Sequence, residues 1–335
     1  ESLTMKKNIP AFMLALALLL TGCGAPPAKG GSENSNIGQE PAEPAPAAYT
    51  WQEETTPSEW KSLLLQMPLY DESFASCRSD ELCTVSPYFG KENWINKNVL
   101  STSDSLYVYT SFFSGFNADS YPWFDGEVNG SYYMGKAIPA ADIEDCLIKQ
   151  ADKAFGIGKE ELHGVKFYLP SQKAYVFPSG LGGGGDDTYR IEKIITVDNY
   201  AIVLQRKWDS WNGSDYDWNL RAKKNGAITV LYQDSGDDYY HYLSNYCVKE
   251  IDRYLKDPAA ANGTVQQPTG TESAAIRHVT AEYGLRLRAG AGTSYDTIYT
   301  LPYGCPVVVH HAEKDWCYVE FNGTYGWMSS EYLAA

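Results

Sequence analysis

Histidine is scarce in this sequence: five residues of 335, with only His163 and His241 between positions 50 and 256. Zinc-dependent hydrolysis takes three clustered ligands, and two isolated histidines do not supply them. His310 and His311 are neighbours on a strand-like run, so they point to opposite faces and cannot chelate from one side. No Gly-x-Ser-x-Gly nucleophile elbow occurs. The glycine run 182–185 leads into Asp186-Asp187 instead of the Gly-Lys-Ser/Thr ending of a phosphate loop. Cations are outnumbered, with 27 Lys+Arg against 42 Asp+Glu and a net charge of −15. That field repels phosphate backbones and excludes nucleic acid as a general partner. Long apolar runs are missing too: the stretch 9–20 is shorter than a membrane-spanning helix requires. No catalytic residue, no metal and no cofactor is assigned from these patterns.

What is present begins at the amino terminus. Met5 is followed by Lys6-Lys7, the apolar stretch and then Leu20-Thr21-Gly22-Cys23. A short basic region, a brief apolar segment and small residues before a cleavage point describe a secretory signal peptide, here residues 1–22. The Leu-Thr-Gly-Cys ending resembles a bacterial lipobox. The resemblance implies that Cys23 becomes the lipidated first residue of the mature chain. The expectation is an extracytoplasmic lipoprotein, anchored to the bacterial membrane without spanning it.

Composition divides the remainder. Residues 23–49 hold Pro, Ala, Gly, Ser and Glu with almost no large apolar side chain, and read as the lipidated cysteine and a disordered tether. A similar stretch, 257–275, reads as a linker between residues 50–256 and 276–335. The larger part carries 20 Lys+Arg and 30 Asp+Glu, whereas the last sixty residues are nearly neutral.

Residues 276–335 show short alternating runs near 285–288, 297–301, 306–312, 316–321 and 325–328, separated by turn residues such as Asn322-Gly323. Short strands at this spacing predict a small all-β barrel. The stretch resembles the bacterial SH3 family of cell-wall proteins. The residues that carry the likeness are Leu285-Arg286-Leu287-Arg288-Ala289-Gly290, Thr293-Ser294-Tyr295, Leu301-Pro302-Tyr303-Gly304, Trp316-Cys317-Tyr318-Val319 and Gly326-Trp327-Met328. The resemblance implies binding of peptidoglycan or another wall polymer. Tyr295, Trp316, Tyr318 and Tyr325 are the candidate ligand-binding aromatics, since aromatic faces stack on sugars and peptides. Each is read either as a ligand contact or as barrel scaffold.

Residues 50–256 predict an α+β fold, an antiparallel sheet with helices on one face. Helical spacing falls at 57–67, 140–155 and 159–163, with Gly156 ending the second helix. Hairpins are expected at 165–177, at 189–208 around Asp198-Asn199, and at 216–233 around Asn225-Gly226. The segments 138–144, 155–157, 180–185 and 242–245 are similar to uncharacterised Firmicutes lipoproteins, a likeness that brings no activity. The acidic groups at 209–217 and 234–238 read as solvated hairpin tips, because their spacing does not fit a calcium loop. Tyr121-Pro122-Trp123-Phe124 and Trp208, Trp211 and Trp218 leave room for a carbohydrate or peptide receptor in this part.

Six cysteines follow Cys23, an even number outside the cytoplasm. Proximity in sequence makes Cys77–Cys83 and Cys305–Cys317 candidate disulfides and leaves Cys146 with Cys247. Asp145-Cys146 has the look of a cysteine-peptidase start, but helical spacing puts Cys146 on the apolar face and away from an activating histidine. The functional expectation is a lipid-anchored cell-envelope protein that binds the wall through its SH3-like domain, with 50–256 a binding or scaffold module. The alternative is a peptidoglycan hydrolase with an unrecognised active site in 50–256.

Overall fold

In a computed structural model, the structure describes residues 49–56, 58–59, 63, 93–101, 120–158, 162–178, 187–209, 221–256, 265–266, 268 and 274–335. Strands β7 (Asp187–Val197) and β8 (Tyr200–Asp209) pair antiparallel around Asp198, which takes the positive φ that a two-residue turn needs. β8 pairs in turn with β9 (Arg221–Tyr232), and β9 with β10 (His241–Val248). Two short strands, β1 (Gln52–Glu54) and β2 (Trp94–Ile95), close the two edges of this six-stranded sheet.

The strands of this sheet are apolar on both faces, so both must be covered. Ile194, Ala201 and Val203 point into one core. Their neighbours Ile195, Ile202 and Leu204 point into another, as the two-residue period of a strand requires. On the first face, in line with Val203 and Leu231, runs a buried polar ladder: Gln205 Nε2 donates to Thr229 Oγ1 at 2.8 Å, and Thr229 Oγ1 donates to Asn245 Oδ1 at 2.9 Å.

The first core is capped by helix α1 (Ala140–Phe155) and a four-stranded sheet. That sheet comprises β3 (Trp123–Val128), β4 (Ser131–Pro139), β5 (Tyr168–Leu169) and β6 (Ala174–Pro178). α1 follows the expected limits, and Gly156 ends it in the left-handed conformation with its N–H on the carbonyl of Asp152. Ile143, Leu147, Ala151, Ala154 and Phe155 form its buried stripe, and Phe155 meets Tyr242 of β10 and Trp94 of β2.

The second core is shared with the C-terminal barrel. A short helix, α2 (Asp252–Leu255), leads away from the central sheet. The barrel strands are β11 (Ala275–Val279), β12 (Leu285–Arg288), β13 (Thr297–Leu301), β14 (Pro306–Glu313), β15 (Trp316–Phe321), β16 (Thr324–Ser329) and β17 (Leu333–Ala334). They form one antiparallel sheet in the order β13-β12-β16-β15-β14-β11-β17. Leu287, Leu301, Val307 and Val319 of the barrel are buried in the same cluster as Ile228, Val230 and Ile251 of the central sheet region.

The α+β expectation for residues 50–256 is therefore corrected. Among the described residues the only α-helix longer than four residues is α1, whereas seventeen strands build three sheets. One face of the central sheet is covered by α1 together with a second sheet, and the other face by the barrel. The architecture is mostly β. The helical spacing at 57–67 falls largely outside the described residues, and that at 159–163 leaves a helical turn at residues 162–163.

A turn expected at Asn225-Gly226 is also absent. β9 runs straight through this pair, with an irregularity in its register against β8 between Arg206 and Trp208. Gly226 is there for space: a Cβ would stand 2.1 Å from the carbonyl oxygen of Gln205 and 3.0 Å from Ile251 Cβ. The connection between β8 and β9, with Trp211, Trp218 and the acidic tip 210–220, lies outside the described residues.

Two of the candidate cysteine pairings are not formed in this structure. No disulfide joins Cys305 to Cys317 or Cys146 to Cys247. Cys305 immediately precedes β14, whereas Cys317 pairs with Ala312 near the far end of that strand. At about 3.3 Å per residue this separates them by about 20 Å, well beyond the reach of about 7 Å between bridged Cα atoms. Cys146 is exposed on α1, not on its apolar face, and Cys247 is half-buried on β10 with its N–H on Asn93 Oδ1. Cys23, Cys77 and Cys83 lie outside the described residues.

Candidate functional site

The two-residue period of β12 sends Leu285 and Leu287 to one side of the strand and Arg286 and Arg288 to the other. Leu287 is fully buried in the shared core. The two arginines, by contrast, line an open groove of about 400 Å³. The neighbouring strands complete it: Trp316 from β15 and Ser329 from β16, which are register partners, and Thr300 from β13 opposite Arg286. The loop before β12 contributes Tyr283, one of the most exposed aromatics in the molecule.

One wall comes from outside the barrel. Tyr246 of β10 lines the groove beside Gly284. Gly284 has a φ of +82°, and a Cβ there would stand 3.0 Å from Thr300 Cγ2 and 3.4 Å from the ring of Tyr246. The site is thus assembled where the central sheet and the barrel meet.

The electrostatics of the groove run against those of the chain. Among the described residues, no acidic side chain lines it. Arg288 is 9% exposed and donates from Nη1 to the carbonyl of Tyr295 at 2.8 Å. Neither Arg286 nor Arg288 has a carboxylate partner among the described residues. Arg206 behaves differently: it bonds Glu192 at 3.0 Å and Asp252 at 2.6 Å. Two guanidinium groups on β12 and an indole on β15, with β16 between the two strands, offer forked N–H donors and an aromatic face in one groove.

Of the four aromatics expected to bind ligand, the structure places only Trp316 in this groove. Tyr318 is 4% exposed and wedged between Tyr325, at 5.8 Å between ring centroids, and Trp327, at 5.4 Å. Tyr325 also lies against His310, and its hydroxyl pKa is raised first by desolvation and then by Glu320. Trp327 is covered from outside, because its Nε1 donates to the carbonyl of Gln266 at 2.7 Å while the N–H of Gln266 bonds Ala289. Tyr295 is 42% exposed, and its ring packs on Gly290 while its carbonyl holds Arg288. Tyr246, Tyr283 and the arginine pair were not among the expected site residues. The Leu-Arg-Leu-Arg alternation was the available signal for the arginines, and no local signal marks Tyr246.

Elsewhere, Trp208 is half-buried beneath Arg190, whose guanidinium lies 4.2 Å from the ring centroid. Trp123 and Tyr132 are exposed on β3 and β4. Cys146 has no hydrogen-bond partner among the described residues, so no histidine activates it there. His163 instead pairs with Glu144 and stacks on Tyr168 at 4.5 Å.

Residues 284–334 match the bacterial SH3 domain family, and the groove lies on strands of this domain. Across a longer stretch of 130 residues the chain is 30% identical to a protein of Bacillus subtilis (strain 168) described as "Putative N-acetylmuramoyl-L-alanine amidase YrvJ". The matched stretch covers 37% of this chain and 23% of that protein, so the chain spans less than a quarter of the relative's length. No solved structure gives a significant match.

Proposed function

We propose that the protein is a lipid-anchored component of the bacterial cell envelope that binds peptidoglycan through its SH3 domain. The observation that carries this reading is the groove of Arg286, Arg288 and Trp316 on the strands of a bacterial SH3 domain. The similarity to a protein named as a wall amidase supports the same compartment and the same class of ligand. The basic, apolar and Leu-Thr-Gly-Cys pattern at the amino terminus supports an anchor at Cys23. In this organisation residues 23–49 tether the folded part, and residues 50–256 present the barrel as a scaffold. Anchoring at the membrane raises the effective concentration of the domain near wall polymers.

Retention of the full chain on purified peptidoglycan sacculi tests the binding role. Wild-type protein is retained at moderate salt and Trp316→Ala is largely lost to the supernatant. Equal loss of both would overturn the reading. Membrane fractionation of a Cys23→Ser variant tests the anchor, with release into the soluble fraction expected.

The amidase name of the relative favours a second reading, hydrolysis by residues 50–256. Zymography of the full chain on wall material separates the two, since clearing is expected only of a hydrolase.

A further inference from the structure

We infer that Arg286 and Arg288 are a carboxylate-binding pair, and that the ligand of the groove is a peptide with a free carboxylate. This inference rests on the wall-binding reading above and specifies what the groove recognises.

The argument starts from the cost of the arrangement. A guanidinium removed from water without a counter-charge is unfavourable, and folded chains normally pair such groups. Arg288 is nearly buried, yet among the described residues its one side-chain bond is to a neutral carbonyl. Arg286, two residues along the same face of β12, is exposed and also lacks a carboxylate partner among the described residues. No acidic side chain among the described residues lines this groove. A carboxylate from outside would complete both forks through paired N–H···O bonds.

Phosphate would satisfy the same donors, and the two sources differ at long range. A polyphosphodiester wall polymer carries many charges into the field of a chain at −15. A peptide with one free carboxylate meets mainly the local pair. The indole of Trp316 and the ring of Tyr246 flank that pair and suit a short peptide stem. Because Tyr246 belongs to the central sheet, recognition is a property of the docked barrel and not of the barrel alone.

The probe is diacetyl-L-lysyl-D-alanyl-D-alanine as free acid and as C-terminal amide, titrated calorimetrically into the full chain, with a polyphosphodiester wall polymer as a third arm. The free acid binds, the amide binds about ten-fold more weakly or worse, and the polymer does not compete. Arg286→Gln weakens the free acid by about ten-fold and narrows the difference between acid and amide, while the melting temperature stays unchanged because the side chain is exposed. Arg288→Lys keeps the charge but removes the fork, and gives an intermediate loss. Absence of free-acid binding, equal binding of acid and amide, or an unaffected Arg286→Gln overturns the carboxylate pair. Competition by the polymer overturns the choice of carboxylate over phosphate. Sacculi retention separates this from the parent reading. If wild type and Arg286→Gln are retained alike, wall binding stands and the pair falls. If wild type is not retained, wall binding itself falls.

Discussion

The hydroxyl of Tyr254 donates to the carbonyl of Thr300 at 2.9 Å and accepts from the Thr300 N–H at 3.2 Å. Thr300 lies on β13, the edge of the barrel sheet, so a side chain from the central region satisfies backbone groups that an edge strand otherwise leaves open. The Tyr254 ring also stacks on Tyr299 at 5.0 Å, and burial pushes its hydroxyl pKa up to about 12. Tyr254→Phe keeps the stack but strands both Thr300 groups, at a cost of about 1–3 kcal/mol. Because the two parts share one core, denaturant unfolding followed by tryptophan fluorescence and by far-UV circular dichroism should give one coincident transition, shifted to lower midpoint in the variant. Two separated transitions in the wild type would contradict a shared core.

Trp316 and Tyr318 stand two residues apart on β15 and are expected to behave differently. Trp316 is half-exposed in the groove, whereas Tyr318 is buried between Tyr325 and Trp327. Trp316→Ala should cost about 1–2 kcal/mol of binding with little change in melting temperature. Tyr318→Ala removes a buried aromatic ring and should cost about 3 kcal/mol of stability. Parallel sacculi retention and thermal melts check the pair. Loss of binding without destabilisation in Tyr318→Ala would place that side chain at the ligand after all.

The barrel was legible in the sequence because short apolar-rich runs recur at near-regular spacing and its turns carry their own residues, as at Asn322-Gly323, both at positive φ. Helix α1 was legible through Ile143, Leu147, Ala151 and Ala154 at helical spacing, ended by Gly156. The class of the larger part was misread because alternation does not say what covers each face. Ile194-Ile195 and 201–204 are apolar on both sides, and only tertiary structure shows that the second cover is the barrel. Among the site residues, Trp316 could be named from the SH3-like pattern. Tyr246 could not, because it reaches the groove through domain docking.

Asn225-Gly226 has the composition of a turn, and the place of Gly226 inside β9 predicts a different phenotype. A turn glycine with negative φ would tolerate alanine, but here the Cβ meets the Gln205 carbonyl oxygen at 2.1 Å in the middle of a ladder. Gly226→Ala must displace β8 from β9 or push Ile251 out of the shared core, at a cost of about 3 kcal/mol. A melting temperature within a degree of wild type would argue against the continuous strand.

The four described thiols predict a graded reactivity. Cys146 is exposed, whereas Cys305 and Cys317 are buried and burial raises the Cys305 thiol well above its ordinary pKa. Peptide mapping after brief alkylation of the native protein should find Cys146 modified and Cys305 and Cys317 protected until denaturant is added. Recovery of a Cys305–Cys317 disulfide peptide would overturn the separation of these two cysteines along β14.

His278 gives the pH test. It sits on β11 next to Val279 of the shared core, and burial lowers its pKa below the ordinary value of 6.5. The unfolded chain therefore binds this proton more readily than the native protein. The sign follows from linkage: stability held above the unfolded pKa is lost as pH falls through 6.5 toward the lower folded value. His278→Gln removes that contribution, so its stability should fall less steeply than wild type on acidification from about pH 7 to 5. Urea midpoints measured across this window for both proteins give the comparison. Identical slopes would mean that His278 is no more buried, for the purpose of its charge, than it is in the unfolded chain.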